Sequence, residues 1–188
     1  MLRKLLVTAV LLGGLASEAV AAGRWIHIRV LEHGEDGETV KVNFPLSALE
    51  KMLPLIDDGN FRDGRIRINN RDMDAPRLRA IWAAVREVED GEFVTVESRD
   101  ENVRVARSGG FLLVDVDETR GDRERVEIKV PITVIDALLS GEGDELNLAA
   151  AIRALDAHGS QQLITVDDDD SQVRIWVDSD QAGGGQAR

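Results

Sequence analysis

The chain contains three histidines and no cysteine, which limits the nucleophilic chemistry it could perform. Triad-type catalysis needs a serine or cysteine nucleophile, a histidine base and an acid that orients the histidine. His27 lies in a predicted strand, His33 in a predicted turn and His158 at the end of a predicted helix. Contacts with carbonyl groups and the helix dipole explain a histidine near a helix C-terminus. The pattern predicts a protein that is not an enzyme.

Metal chemistry has one weak candidate, a run of four consecutive aspartates at 167–170. Calcium prefers carboxylate oxygens, so Asp168, Asp169 and Asp170 are considered as ligands. The spacing matches no EF-hand loop, which needs alternating ligands, a central glycine and a distal glutamate. His27 and His33 have no cysteine or third histidine nearby in sequence, so a zinc or copper site is not expected either. The simpler interpretation of the aspartates is a solvated turn, and no cofactor is expected.

The elements that carry these residues recur along the chain. Residues 25–53 match residues 111–139 without a gap, at an offset of 86. Within that match TVKVNFPLS (39–47) meets RVEIKVPIT (125–133). A second match has an offset of 70, where EFVTVE (92–97) meets QLITVD (162–167). The offsets differ by 16, so a tandem duplication is predicted in which the first copy carries about 16 extra residues.

Each copy is predicted to have the order β-β-α-α-β-β. Alternating polar and apolar residues indicate a hairpin at each end, and helical spacing of apolar residues indicates two helices between them. The predicted fold class is α+β, with two tandem units that each form a largely antiparallel four-stranded sheet with helices on one face. The connection at 107–110 is very short. The two sheets could therefore join edge to edge, or strands could exchange between the units.

Helix starts are also visible in the sequence. In the first copy, Asp74 can accept hydrogen bonds from first-turn amides, and Pro76 follows where a missing N–H costs nothing. The apolar stripe predicted for this helix consists of Leu78, Ile81, Trp82, Val85 and Val88.

Four segments follow from these patterns: a signal peptide at 1–22, a first unit at 23–108, a second unit at 109–179 and a disordered tail at 180–188. The first unit carries the insertion at about 54–70, in which residues 65–68 alternate like a small extra strand. In the signal peptide, Arg3 and Lys4 precede an apolar stretch, and Ala19-Val20-Ala21 supplies the cleavage pattern. The apolar stretch is shorter than the roughly 20 residues of a bilayer-spanning helix. The expected location is periplasmic or secreted, with no transmembrane segment after cleavage.

Charge restricts the expected partners. The formal net charge is −12, and it becomes −13 when the signal peptide, with its two positive charges and one negative charge, is removed. Such acidity repels phosphates at long range and argues against nucleic acid and anionic lipid. The expected partner is a protein or a cationic envelope component.

Three stretches carry a family resemblance: RWIHIRV (24–30), TVKVNFPLSALEKML (39–53) and IRINNRDMDAPRLRAIWAAVREVEDGEFVTVESRDENVRV (66–105). They resemble the uncharacterised bacterial SHOCT-like domain proteins of the YvlB and LiaX type. The resemblance covers nearly all of 24–107, with a weaker second match over 111–178. The usual N-terminal helical hairpin of that family is missing here. The resemblance implies a link to the cell envelope and its stress responses, and it brings no catalytic motif to this chain.

Together these observations predict an exported, non-enzymatic interaction module of the bacterial cell envelope. The alternatives are a calcium-stabilised structural protein and an enzyme that uses the carboxylates of the acidic turns. Two aromatic residues are candidates for a partner surface. Trp176 replaces Ala106 of the first copy, so its ring either fills space between the units or faces a partner. Phe61 lies in the insertion and is the second candidate.

Overall fold

A computed structural model describes residues 23–34, 37–68, 74–118, 120 and 123–183. The predicted signal peptide therefore lies outside the described residues. The strands are β1 (Trp25–Glu32), β2 (Thr39–Pro45), β3 (Asp57–Asp58), β4 (Phe61–Arg62), β5 (Arg65–Arg67), β6 (Gly91–Glu97), β7 (Glu101–Ser108), β8 (Phe111–Glu118), β9 (Arg125–Pro131), β10 (Glu145–Asn147), β11 (Gln161–Asp167) and β12 (Ser171–Asp178). The helices are α1 (Leu46–Met52), α2 (Ala75–Glu87), α3 (Ile132–Leu138) and α4 (Leu148–His158), and a 3-10 turn (Leu53–Leu55) follows α1.

Eight of these strands form one continuous sheet in the order β2-β1-β12-β11-β9-β8-β7-β6. Every neighbouring pair in it is antiparallel. The α+β class and the antiparallel pairing predicted from the sequence are confirmed. The prediction that each unit forms its own four-stranded sheet is wrong, because each group of four neighbouring strands combines strands from both units.

The order of the strands shows how the two parts combine. The hairpin β1–β2 joins the sheet through β12, near the other end of the chain. The hairpin β6–β7 joins through β8 at the opposite end of the sheet. Pairing between β11 and β9 connects the two groups of four strands. Both arrangements left open by the sequence, edge-to-edge joining and strand exchange, thus occur together.

A two-residue turn is the physical reason for this order. Ser108 pairs with Phe111, so only Gly109 and Gly110 connect β7 to β8. Their φ angles are +57° and +84°, the left-handed conformation that tight hairpin turns need and that glycine adopts without steric cost. With β8 on one side and β6 on the other, β7 has no free edge for β1.

Two rows of β-branched residues run across the whole sheet on the face that the helices cover. From β2 to β6, the first row is Val42, Ile28, Ile175, Ile164, Ile128, Val114, Val105 and Val94; the second is Val40, Val30, Val173, Val166, Val126, Val116, Val103 and Val96. Such side chains fit a pleated surface, and directly opposed pairs stabilise a sheet. The rows tie the strands of the two parts into one packing surface.

Helices cover one end of that face, where the amide of Ile132 at the start of α3 donates to the carbonyl of Gly110 in the β7–β8 turn at 2.9 Å. The core cluster contains Leu46, Leu155, Leu163 and Val177, and Ile26 packs against it. Burial of each such side chain contributes about 1.5–3 kcal/mol relative to leaving it exposed. No helix among the described residues is long and apolar enough to cross a lipid bilayer.

Helix α2 agrees with its predicted start and departs from its predicted apolar face. The carboxylate of Asp74 accepts a hydrogen bond from the amide of Arg77 at 2.7 Å, which confirms the cap. Trp82 is buried and donates its indole N–H to Asp136 at 2.7 Å. The prediction is wrong for Ile81 and Val88, which are 60% and 48% exposed.

Arg79 explains part of the difference on α2. Its guanidinium donates to the carbonyl oxygens of Leu139, Gly143 and Glu145 at 2.7–2.9 Å. These bonds hold α2 against the loop that follows α3. A polar contact therefore occupies part of the helix face that packs on the protein, where the sequence pattern predicted only apolar residues.

The insertion supplies β3, β4 and β5 to a second, small sheet in the order β10-β5-β4-β3, and β10 comes from the second part of the chain. Strand β5 confirms the short strand predicted at 65–68. Asp63 and Gly64 connect β4 to β5 with φ angles of +51° and +70°. A Cβ at Gly64 would lie 2.7 Å from the Cβ of Ala149 at the start of α4, so glycine permits the insertion to pack closely there.

Candidate functional site

A buried polar cluster lies on the face of the main sheet opposite the helices. Side chains alternate along a strand, so His27 and Trp176 point away from Ile26 and Val177, which pack in the helical core. The group of His27, Asn43, Trp176 and Asp178 is called here the His27 cluster. It joins β1, β2 and β12 because His27 stands directly opposite Asn43 and Trp176 in the strand register.

The His27 ring makes contacts through both of its nitrogens and through one face. Its Nδ1 lies 2.8 Å from Oδ1 of Asn43, and its Nε2 lies 3.0 Å from Oδ1 of Asp178. The ring stacks on Trp176 with 4.9 Å between ring centroids and 22° between planes. The indole N–H of Trp176 donates to Oδ2 of Asp178 at 2.9 Å. Both carboxylate oxygens of Asp178 are thus used within the cluster.

The C-terminal segment closes the cluster. The amide of Asp180 donates to Asp178 at 2.8 Å, and the amide of Gly183 donates to the carbonyl of Asp180 at 3.2 Å. A Cβ at Gly183 would lie 2.7 Å from Nδ1 of His27, so the backbone lies directly on the ring. Residues 180–183 therefore make defined contacts where the sequence predicted a disordered tail, and residues 184–188 lie outside the described residues.

This geometry does not suit His27 for catalysis. A histidine beside an aspartate is half of a triad, and in a triad the second ring nitrogen faces a nucleophile or substrate. Here the second nitrogen faces Asn43, and the side chain of His27 is 0% exposed. The cluster is arranged to fix β1, β2, β12 and the C-terminal segment relative to one another.

A row of three cationic side chains runs beside the His27 cluster on the same face. Lys41, Arg29 and Arg174 stand directly opposite one another on β2, β1 and β12. We call these three residues the cationic row. The guanidinium of Arg29 lies 5.3 Å from the Trp176 ring centroid and donates to the carbonyl of Gly183 at 3.4 Å. Like charges directly opposite each other destabilise a sheet, so the row has an electrostatic cost.

No carboxylate within the described part of the chain lies within 4 Å of the charged atoms of the cationic row. The Nε atoms of Arg29 and Arg174 are buried and have no hydrogen-bond partner there. By contrast, Arg104 and Arg153 elsewhere on the protein each contact a glutamate. The cationic row therefore places three positive charges side by side without a carboxylate within 4 Å among the described residues.

In the other half of the sheet, the positions that correspond to the His27 cluster and the cationic row carry different residue types. At an offset of 86, Leu113 and Lys129 correspond to His27 and Asn43. At an offset of 70, Ala106 and Ser108 correspond to Trp176 and Asp178. The positions of the cationic row become Glu127, Asp115 and Arg104, which also stand opposite one another. The site belongs to one half only.

The four aspartates form part of a tight turn between β11 and β12. Asp168 accepts hydrogen bonds from the amides of Asp170 and Ser171, and from the Ser171 hydroxyl at 2.8 Å. The Ser171 hydroxyl bond is the largest of the causes that lower the pKa of Asp168 below its ordinary value. Burial is the next largest cause and opposes it, and the two amide bonds and His33 lower the pKa further. Ser98 occupies the same place between β6 and β7 and accepts from the amide of Glu101 at 3.0 Å.

The three aspartates considered as metal ligands therefore lie in this turn. Asp168 directs both carboxylate oxygens at its own turn, while Asp169 and Asp170 are exposed. No group of three or more histidine, cysteine, aspartate or glutamate side chains with metal-binding geometry occurs within the described ranges.

The structure gives different environments to Trp176 and Phe61, the two aromatic candidates for a partner surface. Trp176 is 4% exposed, so the prediction that its ring faces a partner is wrong, and the other alternative agrees with the structure: the ring fills space between a strand of each part of the chain. Phe61 is half-buried in β4, opposite Ile66, and its role in a partner surface stays a prediction.

Sequence reasoning missed the His27 cluster and the cationic row, although a signal for both is present. Aligning the copies shows residues of different chemistry at His27 and Leu113, Arg29 and Asp115, and Trp176 and Ala106. Only the strand order brings these differences together, because His27 and Asp178 are 151 residues apart in the chain. The sequence instead placed the main difference between the copies at the insertion.

We expect Gly183→Ala to open the His27 cluster, because the new Cβ would collide with His27 and Asn43. The indole N–H of Trp176 should then exchange with solvent faster in NMR spectra, since the segment above it is displaced. Gly109→Ala is the matched control: its φ is also positive, and no atom lies within 4 Å of the new Cβ. Equal exchange rates in the two variants would show that the segment does not cover the cluster.

We expect the stability provided by Asp168 to be lost in acid. A lowered folded-state pKa means that the contribution is present above the ordinary value of 3.8 and disappears as pH falls through the folded-state pKa. Asp168→Ala should lower the unfolding free energy at neutral pH by about 1 kcal/mol, the usual net value of lost hydrogen bonds. Asp169→Ala is the control, and urea unfolding from pH 7 to pH 2 is the measurement. A constant difference between Asp168→Ala and the parent across that range would contradict the assignment.

Comparison with known proteins agrees with the resemblance in the sequence. Neither the curated proteins nor the solved structures include a significant match to this chain. The matched region of one protein family begins before β1 and ends within β7. Residues 24–106 match the family described as YvlB-like protein, C-terminal domain, and this match supports the YvlB-like family for that part of the chain.

Proposed function

We propose that this protein is an exported, non-enzymatic interaction module of the bacterial cell envelope, built from two copies of one β-β-α-α-β-β unit. Its contact surface is the cationic row, and its ligand carries anionic groups, either carboxylate or phosphate. The observation that carries the proposal is the set of three adjacent cations, none of which has a carboxylate within 4 Å in the part of the chain that the structure describes.

The positions of the elements support the duplication. Strands β1 and β8, strands β2 and β9, and helices α1 and α3 begin 86 residues apart. Strands β6 and β11, and strands β7 and β12, begin 70 residues apart. Even an irregularity recurs, since the register shifts between Glu92 and Val94 and again between Gln162 and Ile164.

The environment of the titratable groups supports a non-enzymatic role. The histidine with an aspartate partner is buried with both nitrogens occupied. The aspartate of the acidic turn that has a shifted pKa serves the turn itself. The enzyme and the calcium-stabilised alternatives both depend on these turn carboxylates, so the proposal favours binding over either.

Local charge supports an anionic ligand, although the net charge led to the expectation of a cationic one. An anion placed between Arg29 and Arg174 would relieve their mutual repulsion and satisfy the buried Nε atoms. The long-range field of an acidic protein opposes its approach. Salt screens that long-range repulsion more than it weakens a close, partly buried contact, so binding should tolerate physiological ionic strength.

Export and the envelope are supported by the sequence and the family. Residues 1–22 have the pattern of a signal peptide, and the YvlB-like match covers 24–106. The exported chain is expected to begin close to residue 23. Intact mass measurement of the protein from cell fractions tests this expectation, and a full-length chain found only in the cytoplasmic fraction would contradict it.

Ligand binding is tested by removing one charge of the row. Arg174→Gln should weaken binding of pyrophosphate or citrate by about tenfold or more, because a hydrogen bond to a charged group contributes about 1.5–3 kcal/mol. Arg104→Gln is the matched control, since Arg104 is the corresponding residue of the other half and already contacts Glu92. Isothermal titration of the parent and both variants is the measurement.

Two probes separate the sources of the anion. Preference for citrate indicates a carboxylate-bearing partner, and preference for pyrophosphate indicates a phosphate-bearing one. Equal binding by Arg174→Gln and Arg104→Gln, or no binding of either probe to the parent protein, would contradict the proposed surface.

A further inference from the structure

We propose that copies of this chain join head to tail through the two free edges of the main sheet, with β6 of one copy pairing antiparallel with β2 of the next. The partner is thus a second copy of the chain. This inference goes beyond the binding of an anion and rests on the equivalence of the two copies. Of the cationic row, only Lys41 lies on the edge strand β2, while Arg29 and Arg174 lie on β1 and β12, away from the joint.

The first observation is that both end strands have an unpaired edge. Strand β2 pairs only with β1 and strand β6 only with β7 within the described residues. An open strand edge presents a row of N–H and C=O groups that can pair with another strand. Both edges are long enough to do so, since each strand has seven residues.

The second observation is that the molecule already contains the proposed joint. In the middle of the sheet, β11 pairs antiparallel with β9. Strand β11 corresponds to β6 at an offset of 70, and β9 corresponds to β2 at an offset of 86. The free edge of β6 and the free edge of β2 are therefore the counterparts of two edges that pair inside this protein.

The internal register specifies the intermolecular one. Ile164 stands opposite Ile128, Thr165 opposite Glu127, Val166 opposite Val126 and Asp167 opposite Arg125. Applying the two offsets gives the intermolecular pairs Val94 with Val42, Thr95 with Lys41, Val96 with Val40, and Glu97 with Thr39.

These pairs are chemically compatible. No pair brings like charges together, and Lys41 would lie diagonal to Glu97, an attractive arrangement. The four valines are the ends of the two apolar rows that cross the sheet. Head-to-tail pairing would continue both rows from one molecule into the next without a break.

Exposure of the apolar residues also points to this joint. Val94 and Val96 are 44% and 48% exposed, whereas their counterparts Ile164 and Val166 are half-buried beside β9. Ile81 on α2 is 60% exposed, while α4, the counterpart of α2, packs against α3. In the next molecule α1 is the counterpart of α3, so the joint would bring α1 toward α2.

Symmetry and charge determine the form of the assembly. Pairing of two different edges is heterologous, so it forms an open chain of molecules unless the rotation per subunit closes a ring. The net charge of −12 makes copies repel each other at long range. Association should therefore increase with salt, which screens this repulsion.

Cysteine cross-linking tests the joint, because the chain has no cysteine of its own. Val40→Cys and Val96→Cys are made as separate proteins from the full chain. Directly opposed residues in antiparallel strands have Cα atoms about 4.5–5.5 Å apart, within the range of a disulfide. We expect an equimolar mixture under mild oxidation to give a disulfide-linked dimer several times faster than either protein alone.

Controls establish the register and the fold. Thr95→Cys mixed with Val40→Cys should cross-link slowly, because these residues would lie on opposite faces of the joined sheet. Circular dichroism of each variant must match that of the parent, and sedimentation velocity of the parent should show association that increases with concentration and salt.

Any of the following outcomes of the cross-linking and sedimentation experiments would overturn the proposal. Fastest cross-linking of Val96→Cys alone, or of Val40→Cys alone, would mean symmetric pairing of like edges. A parent protein that sediments as a monomer, with no mixture cross-linking, would mean that copies do not cover these edges. Arg174→Gln should leave the cross-linking unchanged, which separates this test from the test of ligand binding.

Discussion

The Gly109–Gly110 turn is the constraint on which the rest of this structure depends. A connection of two residues requires β7 and β8 to be neighbours, and this pairing leaves β1 to find its partner elsewhere. Strand β12 is that partner, so the first and last hairpins of the chain meet. The eight-stranded sheet, the continuous apolar rows and the position of the His27 cluster all follow from this choice.

The helices and the eight strands of the main sheet could be predicted from the sequence, because the matching stretches show the pattern of these elements twice. Strands β3, β4 and β10 of the small sheet were not predicted. Alternation of valines with polar residues in TVKVNFPLS and RVEIKVPIT identifies one strand and one buried face in each copy. The pairing of strands that are far apart in the chain could not be predicted. Alternation of polar and apolar residues shows which face of a strand is apolar, but it does not show which other strand lies beside it. For the same reason, the contact between His27 and Asp178 was not visible in the sequence.

The two halves of the sheet keep one face alike while the residues on the other face differ. Both halves keep the apolar face, where Ile28 corresponds to Val114 and Ile175 to Val105. On the polar face the same backbone positions carry His27 and Arg29 in one half, and Leu113 and Asp115 in the other. Changes on that face leave the helical core untouched, so the halves can differ in chemistry without differing in architecture.

Pairing of β1 with β12 also has a consequence for the order of folding. Trp25 and Asp178 are register partners, so the β1–β2 hairpin, the first hairpin among the described residues, can join the sheet only after β12 has been made. Strands β6 to β9 can pair in sequence while the β1–β2 hairpin has nothing to bind. Contacts between residues so distant in the chain slow folding, and unpaired edges in the intermediate expose it to aggregation. The C-terminal hairpin, which is made last, is therefore the element that closes the sheet around β1.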